Sequence, residues 1–158
     1  MVQAFSYGGS HTGSLYEFMS SVAYSKIDIL SIHVYAWTDF PTPESYLPDL
    51  MTTVQGWMTT FGSKPIWFTE FGWSSHVNTG SEANWEIGVS EETQGDYLRR
   101  SFQMVKADYP YVEAMFWYNE VNTTNSTVQN DNYGLMYADG SPKPAYSAYQ
   151  AWNASQDR

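Results

Sequence analysis

Hydrophobic positions along the chain alternate between short apolar runs and longer segments with helical spacing. The runs are VQAFSY (2–7), IDILSIHVYAW (27–37), PIWFTEF (65–71) and VEAMFWY (112–118). All four contain β-branched or aromatic residues and are short enough to form strands. We therefore predict four strands that alternate with helices, the order expected of a parallel α/β sheet.

Between and after the runs, apolar residues recur three or four positions apart, which is the spacing of one helix face. The first such segment has the apolar set Leu15, Phe18, Met19, Val22 and Ala23. The second covers 47–61 and is followed by Gly62, a residue type common at helix ends. Ser90 is the predicted N-cap of the third helix, and the last helix is expected from about Lys143.

The longest polar loops follow strands rather than helices. Residues 74–88 follow the third run and residues 119–132 follow the fourth. In (β/α) proteins the functional residues lie at the carboxyl ends of the strands. We therefore predict a single (β/α)4 domain over residues 1–158. Its site is expected near the strand ends Tyr7, His33, Tyr35, Glu70 and Trp117.

The composition narrows the kind of ligand. Phe, Trp and Tyr make up 18% of the 158 residues, more than a core alone requires, so some rings are expected to face a ligand. The formal charge of -10 opposes binding to nucleic acid, because that affinity depends on Lys and Arg at the phosphates. We expect a neutral or cationic ligand and no nucleic-acid partner.

Several kinds of site are absent from the sequence. It has no cysteine, which excludes disulfides and thiolate metal sites, and its histidines form no HxxxH or HxH pair. It also lacks a Gly-rich phosphate loop and a GxSxG motif, so we predict neither metal nor cofactor. No apolar segment has the length of a membrane span and no signal peptide is visible. The chain is therefore expected to be soluble, with no membrane partner.

Glu70, in the segment KPIWFTEFGW (64–73), is the first candidate for chemistry. It ends an apolar run and has aromatic neighbours, and a carboxylate among rings can be held partly desolvated for catalysis. The alternative is that Glu70 caps the following loop or pairs with Lys64. The residue types alone leave both interpretations open.

His33 and Tyr35, in the segment SIHVY, are two positions apart and should share one face at the end of their strand. There they can orient a hydroxylated ligand, or the Tyr35 hydroxyl can donate to a carboxylate on the next strand. The alternative is that both are core residues with satisfied polar tips.

Tryptophans follow several of the strands. Trp117 ends the fourth run, and Trp37 and Trp73 lie at the start of the loops after the second and third. A tryptophan beside a cleft offers a flat apolar surface to the C–H face of a sugar ring. Core packing is the alternative for Trp117, but it explains the loop tryptophans less well. Together these residues favour a carbohydrate ligand.

These motifs resemble the clan-A retaining glycoside hydrolases, such as family 5 endoglucanases and family 39 enzymes. FTEFGW resembles their seventh strand with its nucleophile, SIHVY the His-x-Tyr of the sixth, and MFWYN the eighth with its tryptophan. YGLMYADGSPKPAYSAY resembles their closing turn and helix, and VQAFSYGG would be the fifth strand. The resemblance covers nearly the whole chain and implies the carboxyl half of a (β/α)8 TIM barrel.

The resemblance also implies roles for individual residues. Glu70 would be the nucleophile of a cellulase-like hydrolase that cleaves β-glycosidic bonds of a poly- or oligosaccharide with retention, and Tyr35 would be its hydrogen-bond partner. The substrate-binding residues would be His33, Trp117, Trp37, Trp73 and Tyr7. The same resemblance makes an extracellular location plausible.

A half barrel lacks the fourth strand, whose Asn-Glu pair supplies the acid/base of these enzymes. Retaining hydrolysis needs two carboxyl groups about 5 to 5.5 Å apart, so the second must come from elsewhere. In one hypothesis a homodimer rebuilds eight strands and Glu120, in the Asn119-Glu120 pair, approaches Glu70 of a second copy. Alternatively, that pair only begins a polar loop. The second carboxyl group could then come from a complementary amino-terminal half, or the chain could be a non-catalytic glycan-binding module.

Overall fold

The computed structural model describes residues 5–6, 11–36, 41–83, 86–124 and 127–156. Four parallel strands form one sheet in the order β1-β2-β3-β4. These strands are β1 (Phe5–Ser6), β2 (Leu30–Tyr35), β3 (Ile66–Gly72) and β4 (Val112–Trp117). Parallel neighbours joined in sequence by helices are the arrangement of part of a (β/α) barrel, which confirms the predicted α/β class.

The helices are α1 (His11–Met19), α2 (Pro43–Phe61), α3 (Glu91–Asp108) and α4 (Pro144–Gln156). Short 3-10 turns cover Val22–Lys26 and Gln129–Asp131. The prediction that Val22 continues the apolar face of the first helix is wrong, because α1 ends at Met19 and Val22 is 80% exposed. Ser20 and Ser21 donate their hydroxyls back to the carbonyls of Glu17 and Phe18, a local bonding pattern that competes with helix propagation.

Capping residues set the limits of the two long helices. The Thr42 side chain accepts from the backbone N–H of Ser45 in a capping box, and α2 ends where Gly62 adopts a positive φ of 105°. The Ser90 side chain accepts from the N–H of Thr93 at 3.1 Å, which confirms Ser90 as an N-cap. α2 begins before the first apolar residue used to predict it, because the capping box and not the apolar stripe fixes its start.

One face of the sheet is covered by helices. Alternate residues of β2 and β3 on this face are at most 2% exposed: Leu30, Ile32, Val34, Ile66 and Phe68. They belong to one core cluster with apolar side chains of α2 and α3. Burying branched and aromatic side chains in this way contributes about 1.5 to 3 kcal/mol each, so this face holds the fold together.

The opposite face of the sheet, called here the inner face, is more polar and partly open. The hydroxyls of Ser31 and Thr69 lie 2.6 Å apart across β2 and β3. Further along, the Trp67 and Phe116 rings are 6.1 Å apart, and Phe116 is 49% exposed. In a closed barrel this face would be interior, and here it leaves an aromatic surface uncovered. None of the helices in the described part of the chain is long and apolar enough to cross a membrane.

Candidate active site

An irregular register between β2 and β3 sets the direction of Glu70. Ile32 pairs with Phe68 and His33 pairs with Glu70, so Thr69 is an extra residue in β3. Strict alternation from Phe68 would turn Glu70 towards the helices. The bulge instead brings Glu70 onto the inner face, where His33 and Tyr35 also lie.

The Glu70 carboxylate contacts both neighbours on β2. Its Oε2 accepts a hydrogen bond from the Tyr35 hydroxyl at 2.8 Å and lies 3.3 Å from His33 Nδ1. The side chains of His33 and Glu70 are 24% and 36% exposed, so the carboxylate is held but remains accessible. The structure thus brings together three residues that the sequence singled out.

Tyr35 is fixed as a hydrogen-bond donor. Burial, the hydrogen bond to Glu70 and the negative charge of that carboxylate all raise the pKa of Tyr35 far above its ordinary value. Burial also raises the pKa of its neighbour Tyr133 to about 12. Both phenols therefore keep their protons at neutral pH, where Tyr35 donates to Glu70.

A cleft of about 400 Å³ opens beside Glu70. Its lining consists of Tyr35, Glu70, Tyr118, Gln129, Asn130 and Tyr133. The three tyrosine rings contact one another edge to face, with centroids 5.6 to 6.2 Å apart. Within the described part of the chain, Glu70 is the only charged group among the lining residues. The cleft therefore combines one carboxylate with aromatic walls and two amides, groups suited to a hydroxylated ring.

Close packing at the end of β3 explains the glycine of the EFGW segment. A Cβ on Gly72 would lie 2.7 Å from the carbonyl oxygen of Tyr118 and 3.3 Å from the Tyr133 ring. Tyr118 N also donates to Phe71 O at 2.9 Å. Only a residue without a side chain lets β4 and the cleft wall approach β3 this closely.

The structure places Trp73 and Trp117 behind the cleft rather than in its wall. Trp73 is 6% exposed and its indole N–H donates to Pro41 O at 2.9 Å. Trp117 packs edge-on against Phe71 and donates its indole N–H to Tyr133 O at 2.9 Å. This geometry corresponds to the core-packing alternative, and Trp117 supports the cleft through Tyr133. The other predicted sugar-binding residues, Tyr7 and Trp37, lie outside the described residues.

The structure also locates Glu120 and Lys64, the two other residues that the sequence linked to Glu70. Glu120 is exposed and lines a different cleft of about 310 Å³, with Phe116 and Tyr149 among its neighbours. Lys64 lies 5.2 Å above the Tyr24 ring, and the described ion pairs do not join it to Glu70. Within one copy, neither residue has a described hydrogen bond or ion pair with the Glu70 carboxylate.

Sequence reasoning missed four residues of the cleft wall: Tyr118, Gln129, Asn130 and Tyr133. Gln129 and Asn130 lie in a 3-10 turn inside a loop that has no periodic pattern. The alternation of β4 placed Tyr118 opposite Trp117, and that was the one available signal. Across the described ranges, no cluster of three or more His, Asp or Glu side chains could hold a metal ion.

Comparison with known proteins identifies the family of this chain. A family model described as glycosyl hydrolase catalytic core matches residues 3–149. The chain belongs to this family. The predicted relation to glycoside hydrolases is thereby confirmed. A search of curated proteins gave no match.

Solved structures show the same fold at low identity. This glycosyl hydrolase chain is similar to a family 39 glycoside hydrolase from Bacteroides cellulosilyticus WH2 (23% identity, TM-score 0.60, covering 84% of this chain and 28% of that one). It is also similar to a family 17 beta-1,3-glucanosyltransferase from Rhizomucor miehei (19% identity, TM-score 0.61, covering 82% of this chain and 46% of that one). A third similar structure is a beta-glucuronidase from Faecalibacterium prausnitzii (19% identity, TM-score 0.63, covering 94% of this chain and 24% of that one). The chain spans only 24% to 46% of the length of these three proteins.

Proposed function

We propose that the chain supplies the nucleophile half of a retaining β-glycosidase. The observation that carries this proposal is the Glu70 carboxylate at the carboxyl end of β3, in an aromatic cleft of about 400 Å³. Both described contacts of the carboxylate use Oε2, from Tyr35 and His33, so Oε1 faces no donor among the described residues. Oε1 is therefore the oxygen available to attack a sugar bound in the cleft.

In the proposed reaction, Oε1 of Glu70 attacks the anomeric carbon while the bond to the leaving oxygen breaks, and the second carboxyl group gives that oxygen its proton. The second group then takes a proton from the water that hydrolyses the glycosyl-enzyme, and configuration is retained. Tyr35 orients the carboxylate, because its hydroxyl stays protonated and bonded to Oε2. The amides of Gln129 and Asn130 would bind sugar hydroxyls.

The charge of the cleft supports a neutral sugar. Six of the seven Lys and Arg residues lie in the described part of the chain, and none of the six lines the cleft. A uronic acid bound here would place its carboxylate near Glu70 without a cation, which is electrostatically unfavourable. We therefore propose a neutral β-linked sugar, although one of the similar structures is a beta-glucuronidase.

The acid/base must come from outside the described cleft, since Glu70 is its only carboxylate. We propose that a complementary (β/α)4 unit covers the inner face, where Phe116 is 49% exposed, and brings the second carboxyl group. A second copy and an amino-terminal half are the two sources. Sedimentation of the purified chain distinguishes them, and Glu120→Gln removes the only acid that the homodimer hypothesis assigns to this role.

The single carboxylate also favours a second candidate function. Without a complementary unit, the cleft could bind a glycan through its rings and amides but could not complete turnover. Binding of neutral oligosaccharides without hydrolysis, measured by calorimetry, would support this alternative.

The test of Glu70 uses substrates that need no general acid. In 2-deoxy-2-fluoro-β-glycosides with a dinitrophenolate leaving group, departure requires no proton, so the nucleophile half can be tested alone. We expect intact-mass analysis to show one fluoroglycosyl group per chain and peptide mapping to place it on Glu70. The sugars would be gluco, manno, xylo and glucurono forms, and the neutral forms should react faster.

Glu70→Gln is the matched control, because it keeps the size and the hydrogen bond to Tyr35 but removes the nucleophile. Labelling of the variant at the wild-type rate, or a label on another residue, would contradict the assignment. Binding of the same sugars without any label would favour the glycan-binding alternative. Preferential labelling by the glucurono form would overturn the proposed neutral substrate.

A further inference from the structure

The cleft wall depends on a segment with little regular structure. Gln129, Asn130 and Tyr133 line the cleft, and only Gln129–Asp131 forms a short 3-10 turn. A loop of this kind keeps its position through side-chain and backbone contacts to the rest of the fold. Ser74 Oγ donates to Gln129 O at 2.8 Å and Trp117 to Tyr133 O at 2.9 Å, and several further contacts meet at the carbonyl oxygen of Asn132.

Donors from three parts of the chain meet the Asn132 carbonyl. Lys143 Nζ donates to it at 3.2 Å, Gln94 Nε2 at 3.2 Å, and the backbone N–H of Ser75 at 3.1 Å. These donors come from the start of α4, from α3 and from the loop after β3. Asn132 stands between the two cleft residues Asn130 and Tyr133, so this carbonyl anchors the wall at its middle.

Lys143 is the charged member of this group and is 1% exposed. Its ammonium also donates to Ser75 Oγ at 2.7 Å. No acid lies within ion-pair distance among the residues the structure describes, and burial lowers the pKa of Lys143 to about 8. Burying an ammonium without an anion is costly, so its two acceptors must provide much of the compensation.

The anchored segment is connected to the candidate nucleophile through the packing of Tyr133 against Tyr35. The Tyr133 ring lies 5.6 Å from the Tyr35 ring and 5.7 Å from the Tyr118 ring, measured between centroids. Tyr35 in turn donates to Glu70. A displacement at Asn132 would therefore move one cleft wall and loosen the packing around the Tyr35 donor.

We propose that Lys143 is a positioning residue that fixes the cleft wall by holding the Asn132 carbonyl against the loop after β3. It touches neither the cleft space nor Glu70, and it acts through Asn132 and Tyr133. The placement of the wall is a claim about the folded chain alone, whereas its consequence for sugar binding rests on the proposed function.

Hydrogen exchange followed by mass spectrometry tests the placement without any activity. In Lys143→Met, which keeps the length of the apolar stem but removes the ammonium, we expect amides of residues 127–136 to exchange about tenfold faster. Amides of α3 and β3 should keep their wild-type rates. Lys26→Met is the control, because it makes the same substitution at an exposed lysine.

Unchanged exchange in residues 127–136 would overturn the proposal. Uniform acceleration, or failure of the variant to fold, would also overturn it, because Lys143 would then serve the whole fold. Ser75→Ala gives a milder second test, since it leaves the ammonium but removes its nearer acceptor, together with the hydrogen bond of 3.3 Å from Ser75 Oγ to Asn132 O. A smaller acceleration confined to the same segment is expected, and none would contradict the proposal.

The absence of cysteine allows a chemical rescue. Lys143→Cys would be alkylated in denaturant with bromoethylamine, which restores an ammonium at nearly the same reach, or with iodopropane, which restores only the length. After refolding, slow exchange of residues 127–136 is expected with the aminoethyl group and not with the propyl group. Equal protection with both groups would mean that packing, not the charged donor, holds the wall.

If the chain turns over a glycoside, Lys143→Met should raise KM more than it lowers kcat, since the wall binds sugar and does not react. Loss of kcat with unchanged KM would contradict the positioning role. A chain that lacks activity but shows the expected exchange would refute the proposed function alone.

Discussion

Glu70 and Lys143 are opposite charges on the side of the sheet where the strands have their carboxyl ends, and each has two close neighbours. The Glu70 side chain is 36% exposed and meets Tyr35 and His33, whereas Lys143 is 1% exposed and meets Ser75 and Asn132. An accessible charge can react with a ligand. A sealed charge can only constrain the segments that it joins, so the same end of the sheet separates chemistry from support.

Removing each of these two charges in turn, in paired variants, gives the largest expected effect. Glu70→Gln should lower kcat by about 10⁴-fold in a form of the protein that turns over, because the nucleophile is lost. Its free energy of unfolding should change little, since the amide still accepts from Tyr35. Lys143→Met should instead change urea unfolding and cleft exchange while the nucleophile remains. A large loss of kcat in both variants would contradict the distinction between a reacting Glu70 and a supporting Lys143.

Tyr35→Phe removes the hydroxyl that orients Glu70. A hydrogen bond to a charged group contributes about 1.5 to 3 kcal/mol, so kcat should fall by about 10- to 100-fold. Tyr24→Phe is the control, because the Tyr24 hydroxyl donates to Gly62 O at 2.8 Å, away from the cleft. It should affect stability alone, and steady-state kinetics with urea unfolding of both variants would show whether it does.

Gly72→Ala tests the close approach between β3 and the cleft wall. The new Cβ would lie 2.7 Å from Tyr118 O, and such overpacking costs about 1 to 3 kcal/mol. Gly56→Ala is the matched control, since that glycine lies inside α2 with nothing within 4 Å. It should stabilise the chain by about 0.5 to 1 kcal/mol. Equal Tm values for both variants would contradict the packing argument.

The pH dependence of stability gives the smallest effect for a change of one pH unit. The pKa of Lys143 is lowered by burial from 10.5 to about 8, with the charge of Glu91 opposing the shift. Between these values the unfolded chain binds the proton and the folded chain does not, so the Lys143 contribution to stability rises with pH. It should rise by up to about 1.4 kcal/mol per pH unit from about pH 8 towards 10.5. Urea unfolding of wild type and Lys143→Met across that range isolates the Lys143 contribution, and a difference in stability that stays constant with pH would refute the prediction.

Local patterns were sufficient for the elements and for part of the site. Apolar runs predicted the four strands, and residue types predicted the Ser90 cap and the end of α2 at Gly62. Because parallel strands end at one edge, Tyr35 could be expected to meet a carboxylate at the end of the next strand. The bulge that turns Glu70 onto the same face as His33 and Tyr35 was not visible in the sequence.

The remaining site residues depend on contacts that no local pattern records. Lys143 and its acceptor Ser75 are 68 residues apart in sequence, and Gln129 and Asn130 lie in a loop without periodicity. Aromatic residues gave a misleading signal, because Trp73 is buried among other rings whereas a sugar platform would be accessible. The aromatic residue type is the same in both cases, and only the fold separates them.

The bulge at Thr69 decides which way the acid of β3 faces. Phe68 and Phe71 are both buried although they lie an odd number of positions apart, and the extra residue between them makes this possible while Glu70 stays paired with His33. Straightening β3 with every residue retained would turn the carboxylate towards the apolar layer under the helices. Two sequences that both carry the glutamate can therefore differ in whether it reaches the cleft, and the local strand geometry decides between them.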